Sequence, residues 1–178
     1  ITVLRLLAPA RGVAAVSQVR LRLLQDPDAV IAATAWRQLA AEGHAKARTG
    51  FEDLLERLGA SPPPAACAEL VEGLGASIWP DAFAPFLRLC ADERAIVQNA
   101  AARTFDKLAK DAAFVTWLVR EGADSTVPGE RRAALQVVSR AAPELVQPLL
   151  EKVRLALAHP TPAALETALT FGSQLAKD

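Results

Sequence analysis

An all-α chain of about five stacked helix-turn-helix units is the fold this sequence predicts, and three observations predict it. A small residue, Ala33, Cys67, Ala102, Ala134 and Ala168, is followed three positions later by a large apolar one, Trp36, Leu70, Phe105, Val137 and Phe171. The successive spacings are 34, 35, 32 and 34 residues. A near-constant period of that size marks supersecondary units that cannot bury their apolar faces alone and must stack. Between breakers, apolar residues recur at helical intervals, and no alternating run is long enough for a strand. The composition agrees: 52% of the 178 residues are hydrophobic, mostly Ala, Leu and Val, with 5% aromatics and no Tyr or Met. Small side chains of good helix propensity let helices approach closely.

Residues 1–8 read as the tail of a preceding helix, stopped by Pro9 and Gly12. With no Met at the start and an apolar rhythm from Val3 onward, the segment is expected to be part of a longer protein. The units are expected at about 12–42, 44–75, 81–110, 112–142 and 143–176, forming a single domain. In the first, Val13, Val16, Val19, Leu23 and Leu24 mark a helix from about Val13 to Gln25. Asp26 is placed to cap the next helix, with Pro27 in its first turn, and that helix runs to about Glu42 before Gly43.

The second unit presents Phe51, Leu54, Leu55 and Leu58 on one face of a helix closed by Gly59, then restarts after Ser61 and three prolines. Its second helix is expected to stop near Leu74, since Gly73, Gly75 and Ser77 follow. Ile78-Trp79-Pro80 makes an apolar connector, and Asp81 opens the third unit, with Phe83, Phe86, Leu87 and Cys90 on its first helix. A second helix then ends near Lys110. The fourth unit pairs Ala112 to Gly122 with Pro128 to Ala142 across the turn Ala123 to Val127. The fifth begins at Pro143, reaches Leu157, turns at His159-Pro160-Thr161-Pro162 and ends near Ala176.

Several helical repeats share this period. A tetratricopeptide first helix would need a Tyr and a Leu-Gly, and an ankyrin unit a Thr-Pro-Leu-His string; neither occurs. The stretches from Leu23 to Val30 and from Leu87 to Val97 instead resemble HEAT repeats. In that family a first helix ends near a turn Asp, and a Val and a basic residue open an Ala-rich second helix. Asp26, Asp92 and Asp124 match the turn Asp, and Arg131 or Arg132 matches the basic residue of the fourth unit. Units two and five lack the Asp, units one to three lack the basic residue, and the period is shorter than the roughly 40 to 47 residues usual for HEAT. The resemblance implies an α-α superhelix, a HEAT-like solenoid, with second helices lining an inner face.

With the ladder taken as the buried side, the opposite stripe of each second helix reads Ala35 and Gln38, Glu69 and Glu72, Thr104 and Lys107, Gln136 and Ser139, Thr170 and Ser173. Arg132 and Glu166 add charge one turn earlier. Polar and mixed in sign, this stripe suits a protein or peptide partner better than phosphates, which would call for a run of Lys and Arg. Twenty basic and twenty acidic residues cancel, so no overall field favours nucleic acid or an anionic membrane.

Trp36 belongs to the ladder and Trp117 to a first-helix apolar face, so both read as core. Trp79 reads either as a plug between units or as an exposed anchor for a partner. His44 and His159 fall at helix ends, where a turn or cap role is the simpler reading. Arg131 and Arg132 are expected to pair with Asp124 or Glu130 or to offset the local turn. Cys67 and Cys90 have no CxxC partner or neighbouring His, and are expected to be buried thiols in a reducing compartment. No run reaches the roughly 18 apolar residues of a membrane span, so the chain is expected to be intracellular, in the cytoplasm, without membrane insertion.

No Gly-rich phosphate loop, metal-binding His-Glu pair or Ser-His-Asp grouping appears, so no enzyme, cofactor or metal is expected. The expected role is a protein-interaction scaffold, contacting its partner through the stripe and Trp79. The alternative is a nucleic-acid-binding HEAT-like module, including a DNA glycosylase-like enzyme using Asp81 or Asp111.

Overall fold

The computed structural model describes residues 13–59 and 61–158, together with Ala168, Leu169 and Gly172. These residues form nine α-helices and two 3-10 turns, with no strand among them. The helices are α1 (Ala14–Leu23), α2 (Ala29–Ala41), α3 (Ala47–Leu58), α4 (Pro64–Ala76), α5 (Phe83–Cys90), α6 (Ala95–Leu108), α7 (Ala112–Arg120), α8 (Pro128–Val138) and α9 (Pro143–Ala158). The 3-10 turns span Pro80–Ala82 and Gly122–Asp124. Two compact units result: one up to Ile78 with Arg94–Ala101, the other Trp79–Glu93 with the residues from Ala102 on.

In the first unit α2 is the central helix, packed against α1, α3 and α4. Its Ala32, Ala33, Ala35, Trp36, Leu39 and Ala40 are all buried, so it is apolar nearly all round, as a helix with neighbours on several sides must be. The Trp36 indole donates from Nε1 to the Ala47 carbonyl at 2.7 Å, and its ring lies 5.1 Å from that of Phe51. A Cβ on Gly73 would fall 2.2 Å from Trp36 Cζ3. Gly73 therefore does not end its helix, as the sequence suggested. It opens the slot that seats Trp36, and α4 continues through Gly75 to Ala76.

The capping of α2 also differs from expectation. Asp28, not Asp26, is the N-cap: its carboxylate accepts from the backbone N–H groups of Val30 at 2.8 Å and Ile31 at 3.2 Å. Asp26 instead accepts from the Asp28 N–H at 2.9 Å, closing the turn that carries Pro27 just ahead of the helix. Two orphan donors at the helix start are thereby satisfied. At the far end of α3, Gly59 adopts φ 65° and ψ −159°, a conformation open almost only to glycine, and the chain leaves the helix there.

The second unit gathers Phe83, Phe86, Phe114 and Trp117 from α5 and α7. Phe86 and Phe114 meet edge to face at 5.6 Å, and Phe114 and Trp117 stack at 6.2 Å. Phe83, Phe86 and Phe114 are buried; Trp117, expected in the core, is only half-buried at the edge of the cluster. Helix α8 packs on α5 and α7, and α9 packs on α7. α8 stops at Val138, short of the expected Ala142, and turns through Ser139 and Arg140 toward Pro143. A helix is disfavoured at the residue before a proline.

The ladder holds where it was drawn at Ala33 and Trp36, Cys67 and Leu70, and Ala134 and Val137, all buried. At α6 it does not. Ala102 is exposed, and the buried set is Val97, Ala100, Ala101, Thr104, Phe105 and Leu108. The small residue beside Phe105 is thus Ala101, four positions before it, because i and i+4 share a helical face as well as i and i+3. Of the fifth pair, Ala168 is half-buried and Phe171 lies outside the described residues.

Candidate interaction surface

The polar residues nominated by the sequence divide into those that reach the surface and those the packing takes inside. Gln38 is 8% exposed and Thr104 6%, and both face inward. The shift of the α6 face explains Thr104. Gln38 is drawn in by a buried cation that the sequence reading passed over. Arg20 on α1 has 0% exposure, and its Nε donates to Gln38 Oε1 at 2.8 Å while Nη1 binds Glu42. Ser17 Oγ adds a long 3.5 Å contact to the other Glu42 oxygen. A buried guanidinium is tolerable only with its donors matched, and Gln38 and Glu42 both serve that end.

Glu69 and Glu72 on α4 remain half-buried, and both meet Arg37 of α2. Glu69 Oε2 lies 2.8 Å from Arg37 Nε, and Glu72 takes Nη1. One guanidinium thus bridges two carboxylates one turn apart, 32 and 35 residues further along the chain. In the second unit Lys107 is exposed, and Gln136 and Ser139 are half-buried at the end of α8. Ser139 Oγ donates to the Gln136 carbonyl at 3.1 Å.

Arg140 ties the same end of α8 to α6. Its Nη1 donates to the Gln136 carbonyl, its Nε sits 3.1 Å from Asp106 Oδ1, and its guanidinium lies 5.8 Å from the Phe105 ring centroid. Asp106 stands 34 residues before Arg140. Arg132 pairs with Glu93 at 3.2 Å and not with the expected Asp124 or Glu130. Glu130 instead accepts from Ser125 Oγ at 2.8 Å, and Arg131 donates to the Ser125 carbonyl at 3.0 Å. Glu166, Thr170 and Ser173 lie outside the described residues.

Trp79 is 6% exposed, so its ring is packed and does not stand out from the surface. Cys67 and Cys90 are both buried, as the sequence led us to expect. Burial pushes the Cys90 thiol well above its ordinary range, which holds it protonated and unreactive. Asp111 is engaged as the N-cap of α7, accepting from the Phe114 N–H at 2.9 Å. Among the described residues no group of His, Cys, Asp and Glu side chains could hold a metal ion, and no helix is long and apolar enough to cross a membrane.

Arg20, Arg37 and Arg140 are the residues that sequence reading missed. Arg37 and Arg140 carried a signal: each stands about one period from the acids it meets. Arg20 carried none, since an arginine among leucines and valines on an amphipathic helix reads as a solvated charge.

The class that these features define is an all-helical protein in which ion pairs join neighbouring helices within each unit. Comparison with protein-family models, curated proteins and solved structures finds no match.

Proposed function

We propose that the chain is a HEAT-like repeat segment that works as a protein-interaction scaffold, binding a partner protein or peptide along its second helices. The observation that carries this reading is the pairing of charges at the repeat period: Arg37 with Glu69 and Glu72, and Arg140 with Asp106. Ion pairs spaced about one period apart, joining successive second helices, are what stacked units would produce. Each unit thus carries fixed charges of both signs on its second helices. Mixed-sign, half-exposed charges held in place give register and partner choice more than affinity. A phosphate backbone would be met by unpaired cations, whereas Arg37, Arg132 and Arg140 each already hold a carboxylate.

The test is a pull-down with identification of the bound protein, repeated with Lys107→Glu and Gln136→Lys together. Both positions lie outside the apolar core, so the fold should keep its melting temperature while binding weakens about tenfold or more, equal to about 1.4 kcal/mol. A pull-down without a protein partner, combined with tight, salt-sensitive binding to DNA or RNA, would replace this reading with the nucleic-acid one. Release of bases from alkylated DNA that is lost on Asp81→Asn or Asp111→Asn would establish the glycosylase-like alternative.

A further inference from the structure

A second surface lies within the first unit. Between α1 and α3 the structure holds a cleft of about 280 Å³, lined by Leu21, Leu24 and Gln25 on one side and, on the other, by Lys46 just before α3 and by Gly50, Asp53 and Arg57 of α3, with Thr49 and Leu54 completing it. Lys46, Gly50, Asp53 and Arg57 recur at intervals of four, three and four, which places them in one row along the helix. The row reads positive, open, negative, positive.

Gly50 makes the cleft's floor. A Cβ there would stand 3.2 Å from Leu24 Cδ1, so its absence lets the aliphatic wall of α1 come down to the α3 backbone. Glycine inside a helix is unfavourable by about 0.5–1 kcal/mol relative to Ala, and here it seats Leu24 against the α3 backbone at the base of the cleft. Arg57 closes one end, donating to the backbone carbonyls of Leu24 and, at 2.7 Å, Asp26. Those bonds tether the end of α3 to the end of α1, so the recess is shaped in advance. At the other two charged positions nothing is engaged: neither Lys46 nor Asp53 has an ion-pair partner among the described residues.

A volume of about 280 Å³ is just below the roughly 300–1,000 Å³ of sites for drug-sized ligands. It suits two or three inserted side chains better than a cofactor. Lys46 and Asp53 are seven residues apart, about 10 Å along the helix at 1.5 Å per residue. A partner helix laid along the row repeats that distance between its own positions i and i+7, with i+3 and i+4 between them on the same face.

We propose that this cleft is a docking site for an amphipathic helix of a partner protein, one that carries an acidic residue at i, aliphatic residues at i+3 and i+4, and a basic residue at i+7. The acid meets Lys46, the base meets Asp53, and the aliphatic pair enters the recess over Gly50. This site does not rest on the stripe and can be tested apart from it.

The probe is a blocked Ala-rich helical peptide with Asp, Leu, Leu and Lys at those four positions, titrated into the isotope-labelled protein and followed by amide chemical shifts. The control peptide exchanges the Asp and the Lys. Saturable shifts confined to the amides from Lys46 to Arg57 and to the end of α1 are expected with the first peptide, at least tenfold tighter than with the control. The double variant Lys46→Glu/Asp53→Lys should reverse that preference, and Thr49→Trp, at an exposed position on the rim, should abolish binding of both with the helical circular dichroism unchanged. Equal binding of both peptides, or no saturable shift with either, would overturn the proposal. A concentration-dependent dimer that the peptide dissociates would assign the cleft to a second copy of the chain instead.

Discussion

Arg20 shows how one side chain can govern its neighbours. Fully buried and bound to Gln38 and Glu42, it turns a glutamine that the repeat pattern put on the surface into an interior acceptor. Removing one member of a buried ion pair leaves the other uncompensated, which costs about 3–5 kcal/mol, whereas an apolar replacement of the whole group is often neutral. Arg20→Met is therefore expected to lower the urea midpoint sharply, and Arg20→Met with Gln38→Leu and Glu42→Leu to restore most of the loss. If the triple variant is no more stable than the single one, the network contributes more than charge matching. Trp36 and Gly73 make the same point in apolar form, since the ring occupies the place where any other residue would carry its Cβ. Composition suggested that Gly73 breaks a helix; only the position of the ring across from it reveals that it receives one.

At the scale of the element, most of the architecture was legible. Helix starts and ends fall close to the expected ones because Gly43, Gly59 and the prolines act locally, through φ and the missing N–H. Where two local solutions compete, the sequence was ambiguous. Asp26 and Asp28 both flank Pro27, and either could cap a helix; the carboxylate of Asp28 reaches two donors of α2, while Asp26 reaches one donor outside it. Asp28→Ala is accordingly expected to cost about 1 kcal/mol and Asp26→Ala less than half of that, read as shifts in the denaturation midpoint. Equal losses would mean that the turn, and not the cap, holds the start of α2. The slip at α6 has the same origin: three successive alanines, Ala100, Ala101 and Ala102, offer three nearly equivalent choices of face. With side chains this small, local pattern has little energy with which to choose, and the larger Val97, Phe105 and Leu108 choose for them.

For the whole molecule, charge is the property the sequence settles outright. Twenty basic and twenty acidic residues give an isoelectric point near 7.0, so self-repulsion is weakest at neutral pH. Solubility is expected to be lowest near pH 7 and to rise on both sides, as net positive charge builds below it and net negative charge above it. Precipitation measured across pH 5 to 9 at low salt checks this, and a minimum far from 7 would point to an exposed apolar surface as the cause. By itself, then, the sequence determined the helical class, the spacing of the small-and-large residue pairs and the balance of charges, because each follows from local propensity, spacing or a sum over residues. Tertiary structure alone decided which polar residues stay at the surface. Gln38, Thr104 and Trp79 are buried, Glu69 and Glu72 share Arg37, and the unpaired Lys46 and Asp53 flank a recess between α1 and α3. Burial and pairing depend on residues 18 to 35 positions away in the chain, brought within a few ångströms only once the helices have packed.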